Sequence, residues 1–192
     1  MFRLPDWKTE VDFEARIAAM PAQANARGMF FQYLLDVLDP QVIKQLEPPR
    51  YIAFKNYPLR DYVILMQRAC ELAFPGVPTS QAVRQMGRMV YPSYSRTMTG
   101  TAVFAIAGRS YRRIIELCPR AYEIGMTPGK ITVSEISDNH ALVELRDIWN
   151  VPEFHQVGVW EGAQELCEVE GTVETQVRGP ASVDFMVRWR PL

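Results

Sequence analysis

The stretch that decides the fold runs from Thr172 to Trp189, TVETQVRGPASVDFMVRW. Val183, Phe185, Val187 and Trp189 alternate with Asp184, Met186, Arg188 and Arg190. This period of two sets one face of a strand on a core and leaves the other largely wet. Arg178-Gly179-Pro180 is turn chemistry and joins the two arms, Thr172–Val177 and Val183–Trp189, as a closing hairpin. The same period recurs upstream in Leu142–Arg146 and Ile131–Ile136, joined by Ser137-Asp138-Asn139. Beyond the turn Thr127-Pro128-Gly129-Lys130 it recurs in Tyr122–Met126. Five antiparallel strands are therefore predicted, with one helix, about Pro152 to Cys167, between the third and fourth.

On a helical wheel, His155, Gly158, Val159, Gly162, Ala163 and Leu166 of the inserted helix share one sector of about 140°. Two glycines four apart each cost helix stability of roughly 1 kcal/mol relative to alanine. Close backbone approach to the sheet or to another helix is the expected compensation. Phe154, Val157 and Trp160 lie elsewhere on the wheel, where neighbouring segments or a second subunit could cover them. His155, alone on an apolar face, reads as a core residue bonded to backbone rather than a base or ligand.

The half before the strands is helical. Helices are expected over Val11–Met20, Arg27–Leu38 and, capped by Asp39 with Pro40 at its first position, to about Leu46. The Pro58–Phe74 helix is the clearest of them. Its polar residues Arg60, Asp61, Gln67, Arg68 and Glu71 form one narrow stripe, so most of its surface should be buried. Thr79 is a candidate cap for a helix toward Tyr91, where Pro92 kinks or ends it. Thr99–Ala107 is apolar and small, and Ser110–Leu117 is a short helix closed by Cys118-Pro119. Helices first and strands after favour an α+β domain. The expected organisation is one domain, 1–192, with an N-terminal arm (1–10), a mainly helical part (11–118) and a β-rich part (119–192) holding helix 152–167.

Composition narrows the function classes. The chain has 192 residues, 48% hydrophobic and 22% charged, which is a globular balance. A net charge of -1 gives no electrostatic reason to expect nucleic acid. Cys70, Cys118 and Cys167 are odd in number and widely spaced, which suggests a reducing compartment. Neither a signal-peptide core nor a window of apolar residues long enough to span a bilayer is present. A cytoplasmic address is expected.

No catalytic constellation emerges. Two histidines and three cysteines have no zinc spacing. Gly100–Gly108 lacks the lysine of a phosphate loop, and no Gly-x-Ser-x-Gly elbow exists. The richest signal is aromatic and sulfur-bearing: Phe30, Tyr33, Tyr62, Met66, Met86, Met89, Tyr91, Tyr94 and Phe104 all fall on predicted helices or their ends. They suit either a plain core or the lining of an apolar pocket with a few orienting hydroxyls.

Three segments carry a resemblance. Arg27-Gly28-Met29-Phe30-Phe31, Asn56-Tyr57-Pro58-Leu59-Arg60-Asp61-Tyr62 and Phe154-His155-x-x-Gly158-Val159-x-Glu161-Gly162 resemble a myxobacterial paralogous family of unknown function, over most of the chain from about residue 25. That family resembles the superfamily of H-NOX haem domains, 4-vinyl-reductase domains, aromatic-effector domains of bacterial activators and TRAPP transport-particle subunits. The resemblance implies helices packed on an antiparallel sheet. It also implies one of two roles: a module that binds a small hydrophobic or aromatic molecule between the layers, or a dimeric scaffold of the TRAPP type.

An H-NOX haem needs an axial histidine upstream of Tyr-x-Ser-x-Arg. Here Tyr91-Pro92-Ser93-Tyr94-Ser95-Arg96 sets the arginine one residue late and no histidine precedes it, so no cofactor is expected. The expected pocket is Tyr33, Tyr62, Met66, Tyr91 and Phe104, with Arg96 as partner for an anion or carboxylate. Trp7, Val157 and Trp160 are the candidates for a homodimer contact. A non-enzymatic sensor or carrier, signalling through a separate protein, is the leading expectation. The identity of ligand and partner is beyond the sequence.

Overall fold

The computed structural model describes residues 1–97, 100–101, 104–105 and 108–192, so the small apolar stretch 99–107 falls in part outside it. The elements run α1 (Phe13–Ala19), β1 (Asn25–Arg27), α2 (Gly28–Asp36), α3 (Pro40–Leu46), β2 (Asn56–Pro58), α4 (Leu59–Ala73), α5 (Thr79–Arg88) and α6 (Val90–Ser95). They continue with α7 (Tyr111–Gly125), β3 (Met126–Thr127), β4 (Lys130–Ile136), β5 (His140–Arg146), α8 (Pro152–Leu166), β6 (Val169–Gly179) and β7 (Ser182–Pro191). The architecture is α+β, as the segregated periodicities require.

β4, β5, β7 and β6 form an antiparallel sheet in that order, with α8 inserted between β5 and β6. The inner face carries Ala141, Val143 and Leu145 of β5 and Val183, Phe185, Val187 and Trp189 of β7, all buried. On the face expected to be wet, Asp184 is buried instead. Arg146 and Arg178 fold over it, each 2.6 Å from one of its carboxylate oxygens. Two part-exposed guanidinium groups thus pair with one buried carboxylate.

The sheet has four long strands, because Tyr122–Met126 is not a fifth. α7 continues through Pro119 to Gly125. Its buried residues Tyr111, Ile114, Ile115, Cys118, Tyr122 and Gly125 keep helical spacing on both sides of the proline, so burial of one face outweighs the lost hydrogen bond. Met126–Thr127 then pairs with β1, which also pairs with β2, in a small second sheet. The helix opened by Thr79 stops at Arg88, and α6 begins at Val90 with Pro92 in its first turn, where a missing N–H costs little. Thr79 itself caps no helix. Its hydroxyl accepts from Val11 N–H at 2.5 Å and donates to Glu10 at 2.9 Å, tying down the N-terminal arm.

α8 is the centre of the molecule. It lies on β6 and β7 on one side and beneath α5 on the other. The glycine spacing serves that second contact. A Cβ at Gly158 would sit 1.9 Å from the Arg84 carbonyl oxygen, and one at Gly162 would sit 2.1 Å from that of Arg88. Two ion pairs flank the seam: Arg84 grips Glu161 with two hydrogen bonds of 2.7 and 2.8 Å, and Arg88 pairs with Glu165.

Candidate functional site

Between the α5–α8 seam and the ends of α2, α6 and α7 lies a cavity of about 170 Å³. Each element delivers its wall for a local reason. α2 begins at Gly28, where a Cβ would stand 2.2 Å from the Ile52 carbonyl oxygen. That close approach fixes the helix so that Phe30 and Tyr33 reach the cavity. α4 contributes Tyr62 from its buried arc, α5 contributes Met86, and α6 contributes Tyr91 and Tyr94. Ala121 and Ile124 of α7 form an exposed lip, Ile124 being 56% exposed, whereas Tyr62, Met86, Asn150 and His155 form a buried floor.

Among the described residues no lysine, arginine, aspartate or glutamate lines this space. The phenols stay protonated, since burial pushes Tyr62 and Tyr91 well above the ordinary tyrosine value. Burial likewise pushes the Cys118 thiol up to about 12, which removes it as a nucleophile. Nor do the described residues hold any cluster of three or more histidine, cysteine or acidic side chains.

The expected pocket residues divide three ways. Tyr33, Tyr62 and Tyr91 meet in the cavity wall. Met66 is buried in the core behind it, and Phe104 supports the wall from outside, with ring centroids 6.3 Å from Tyr91 and 6.4 Å from Tyr94. Arg96 is exposed and lines no part of the cavity.

The expected subunit contacts fare differently. Val157 and Trp160 are fully buried within the chain and offer no surface to a partner. Trp7 lies on Phe154, centroids 6.1 Å apart, with the Arg84 guanidinium 4.4 Å from its ring centroid. Neighbouring segments of the chain cover this side of α8.

Sequence reasoning missed the polar end of the cavity. Asn150 and His155 are each only 5% exposed, both line the space, and Asn150 Oδ1 and His155 Nδ1 have no hydrogen-bond partner among the described residues. The helical wheel marked His155 as inward-facing but did not show what lay opposite. Asn150 gave no signal, because it sits in the connection from β5 to α8. That connection is strained: Val151 has φ 57° and is fully buried. A β-branched residue in the left-handed region costs about 1–3 kcal/mol, and such strain gathers where a site must be held in shape.

Burial lowers the His155 pKa from 6.5 to about 4, so the folded protein holds it neutral. Between those values the unfolded chain binds the proton more readily, so stability rises with pH across this window and is lost as pH falls through it. The loss between pH 6.5 and 4 should be on the order of 2–3 kcal/mol. Urea titrations across this range check it, with His155→Gln expected to flatten the slope.

An α+β domain with a ligand-sized cavity between its helices is the class that this geometry defines. The chain belongs to the family described as "Protein of unknown function (DUF2378)", which matches residues 20–190. Its fold is that of H-NOX proteins. An H-NOX protein from S. oneidensis, solved in the Fe(II)NO ligation state, superposes with a TM-score of 0.69 at 13% identity over 85% of this chain and 99% of that one. An oxygen-binding H-NOX domain related to soluble guanylate cyclases gives 0.65 at 14% identity, over 85% and 92%. An H-NOX protein from K. algicida, unliganded Fe(II) form, gives 0.59 at 11% identity, over 86% and 97%. Among curated proteins none matches the chain. No helix among the described residues is long and apolar enough to cross a membrane.

Proposed function

We propose that the chain is a non-enzymatic sensor or carrier module whose cavity takes one small apolar molecule, of the size of a single aromatic ring. The observation that carries this reading is the cavity itself, about 170 Å³, walled by tyrosine and methionine and, among the described residues, free of charged side chains. An apolar protein cavity of roughly 150 Å³ accepts benzene, so the volume matches one ring. Aromatic and thioether walls favour such a guest through ring-edge and sulfur contacts. Other proteins of this fold are known with small ligands, among them the nitric oxide and oxygen forms above.

In this reading the ligand is not haem. The space is one ring in size, and Arg96, the nearest counterpart of a propionate clamp, is exposed and away from it. Nor is the ligand a carboxylate or an amine, because a buried charge without a partner is strongly disfavoured.

Toluene titrated to about ten times its dissociation constant should stabilise the fold by about 1.4 kcal/mol. For a chain of this size the melting temperature should rise by roughly 3–6 °C. Ala121→Phe, which fills the lip at an exposed position, should abolish the shift while moving stability by less than about 0.5 kcal/mol. No shift with any single-ring probe overturns the reading.

A further inference from the structure

We infer that the turn from Ile52 to Lys55 docks the protein on an anionic lipid surface, with Ile52 and Phe54 entering the bilayer interface and Arg50 and Lys55 meeting headgroup phosphates. Away from the chain ends, Phe54 and Ile52 are the most exposed large hydrophobic side chains among the described residues, at 75% and 60%. Single exposed apolar residues are ordinary, but two on one braced turn call for a cause. Lys55 N–H closes the turn on the Ile52 carbonyl oxygen at 3.0 Å. Met29 N–H donates to the Ala53 carbonyl oxygen and Gly28 N–H to that of Lys55, both at 2.9 Å. The Tyr57 hydroxyl accepts from Ile52 N–H at 2.9 Å, and the Gln32 amide donates to the Tyr51 carbonyl oxygen at 2.8 Å. Tyr51 stacks on Phe31, ring centroids 4.2 Å apart. A backbone held by this many bonds keeps both apolar side chains pointing outward.

The charges around the turn select the partner. From Pro48 to Arg60 the charged residues are Arg50, Lys55 and Arg60, with Glu47 before them and Asp61 after. Arg50 and Lys55 are exposed, and neither forms an ion pair with a described residue; the Lys55 ammonium lies 5.3 Å from the Tyr57 ring centroid instead. By contrast Arg88, Arg109, Arg188 and Arg190 each hold a glutamate. Cations beside protruding apolar side chains are complementary to phosphate above hydrocarbon. Lysine and arginine reach the phosphates on long stems while the apolar pair goes deeper. A protein partner would need about 800 Å² of matching surface. A bilayer asks only for a few side chains that stand proud of their neighbours.

The full chain is sedimented with vesicles of phosphatidylcholine alone and of phosphatidylcholine with phosphatidylglycerol at about 3 to 1. The mixed vesicles should carry the protein down and the neutral ones should not, and raising the salt about tenfold should release it. Arg50→Gln and Lys55→Gln should each weaken binding about fivefold. Phe54→Ser should weaken it about tenfold. All three positions are exposed, so the melting temperature should stay that of the wild type. Val177→Ser, at an exposed apolar position on β6, should bind like the wild type. Cys70, Cys118 and Cys167 are buried, so an environment-sensitive thiol dye placed on Ile52→Cys reports the turn alone. Its emission should move to the blue on the mixed vesicles.

Equal binding to both kinds of vesicle overturns the inference, and so does binding to the mixed vesicles that Phe54→Ser and Arg50→Gln leave unchanged. An absence of binding overturns it too. If a glutamate-rich peptide then moves the dye where the vesicles do not, the turn takes an acidic protein segment and not lipid. Should Phe54→Ser or Lys55→Gln not fold, Arg50→Gln and the dye on Ile52→Cys decide. No aromatic probe enters these measurements, so each outcome leaves the cavity reading where it stands.

Discussion

Gly158→Ala should destabilise the protein by about 3–5 kcal/mol, although alanine is the better helix former by about 1 kcal/mol. The sign follows from what the new methyl meets. At Gly158 a Cβ lies 1.9 Å from the Arg84 carbonyl oxygen and 2.8 Å from the Arg88 nitrogen, both backbone atoms that no rotamer change can move aside. Contact is mutual, since a Cβ at Gly87 of α5 would lie 2.0 Å from the His155 carbonyl oxygen. The two helices must separate, and overpacking of a dense interior is costly even for one methylene. Guanidinium unfolding measures the effect. Gly179→Ala is the control: it has open space around it and should change stability by under about 0.5 kcal/mol. If Gly158→Ala proves neutral or stabilising, the helices do not meet as closely as described.

Trp160→Ala comes next, with an expected loss of about 3–5 kcal/mol from emptying a large buried site. Trp160 is 0% exposed, and the Tyr111 hydroxyl donates to its carbonyl oxygen at 3.2 Å, so the side chain and backbone of α8 are fixed together here. Its indole N–H finds no acceptor among the described residues. Trp160→Phe should therefore be far milder, within about 1.5 kcal/mol, because it keeps an aromatic ring while removing an unpaired donor. Light scattering adds a second readout. A tryptophan inside the chain leaves the solution mass unchanged in Trp160→Phe, whereas one at a subunit contact would alter it.

These two sites show which parts of the structure are legible in the sequence. Period-two alternation gave β7 and its hairpin, and the polar stripe of α4 gave its burial, because each signal belongs to one element. The glycines of α8 announced a close approach, but α5 or the sheet could equally have supplied the partner. Pro119 misled for a physical reason. Local propensity argues for a helix end there, while the apolar face of α7 continues across it, and packing outweighs one missing hydrogen bond.

The cavity was half legible. Tyr33, Tyr62 and Tyr91 were found from residue type and helical placement. Asn150 was invisible because nothing in a loop asparagine tells which way its connection turns. Arg96 was drawn in by a near-match to a motif, and Val157 and Trp160 by their polar neighbours on the wheel. In each case the missing knowledge was which distant segment lies opposite.

The arm that begins the chain has a consequence for how copies of the protein behave near one another. Arg3 pairs with Thr175 through two backbone hydrogen bonds of 3.0 and 2.8 Å, interrupting the outer rim of β6 near its middle. The opposite rim, β4, carries an irregularity between Val133 and Glu135 and begins with Lys130. Free strand rims are templates for unwanted cross-chain pairing, and bulges, charges and short covers are the usual deterrents. Both rims of this sheet carry one, so a protein rich in β-branched strands is protected against ordered aggregation by a few residues far apart in the chain.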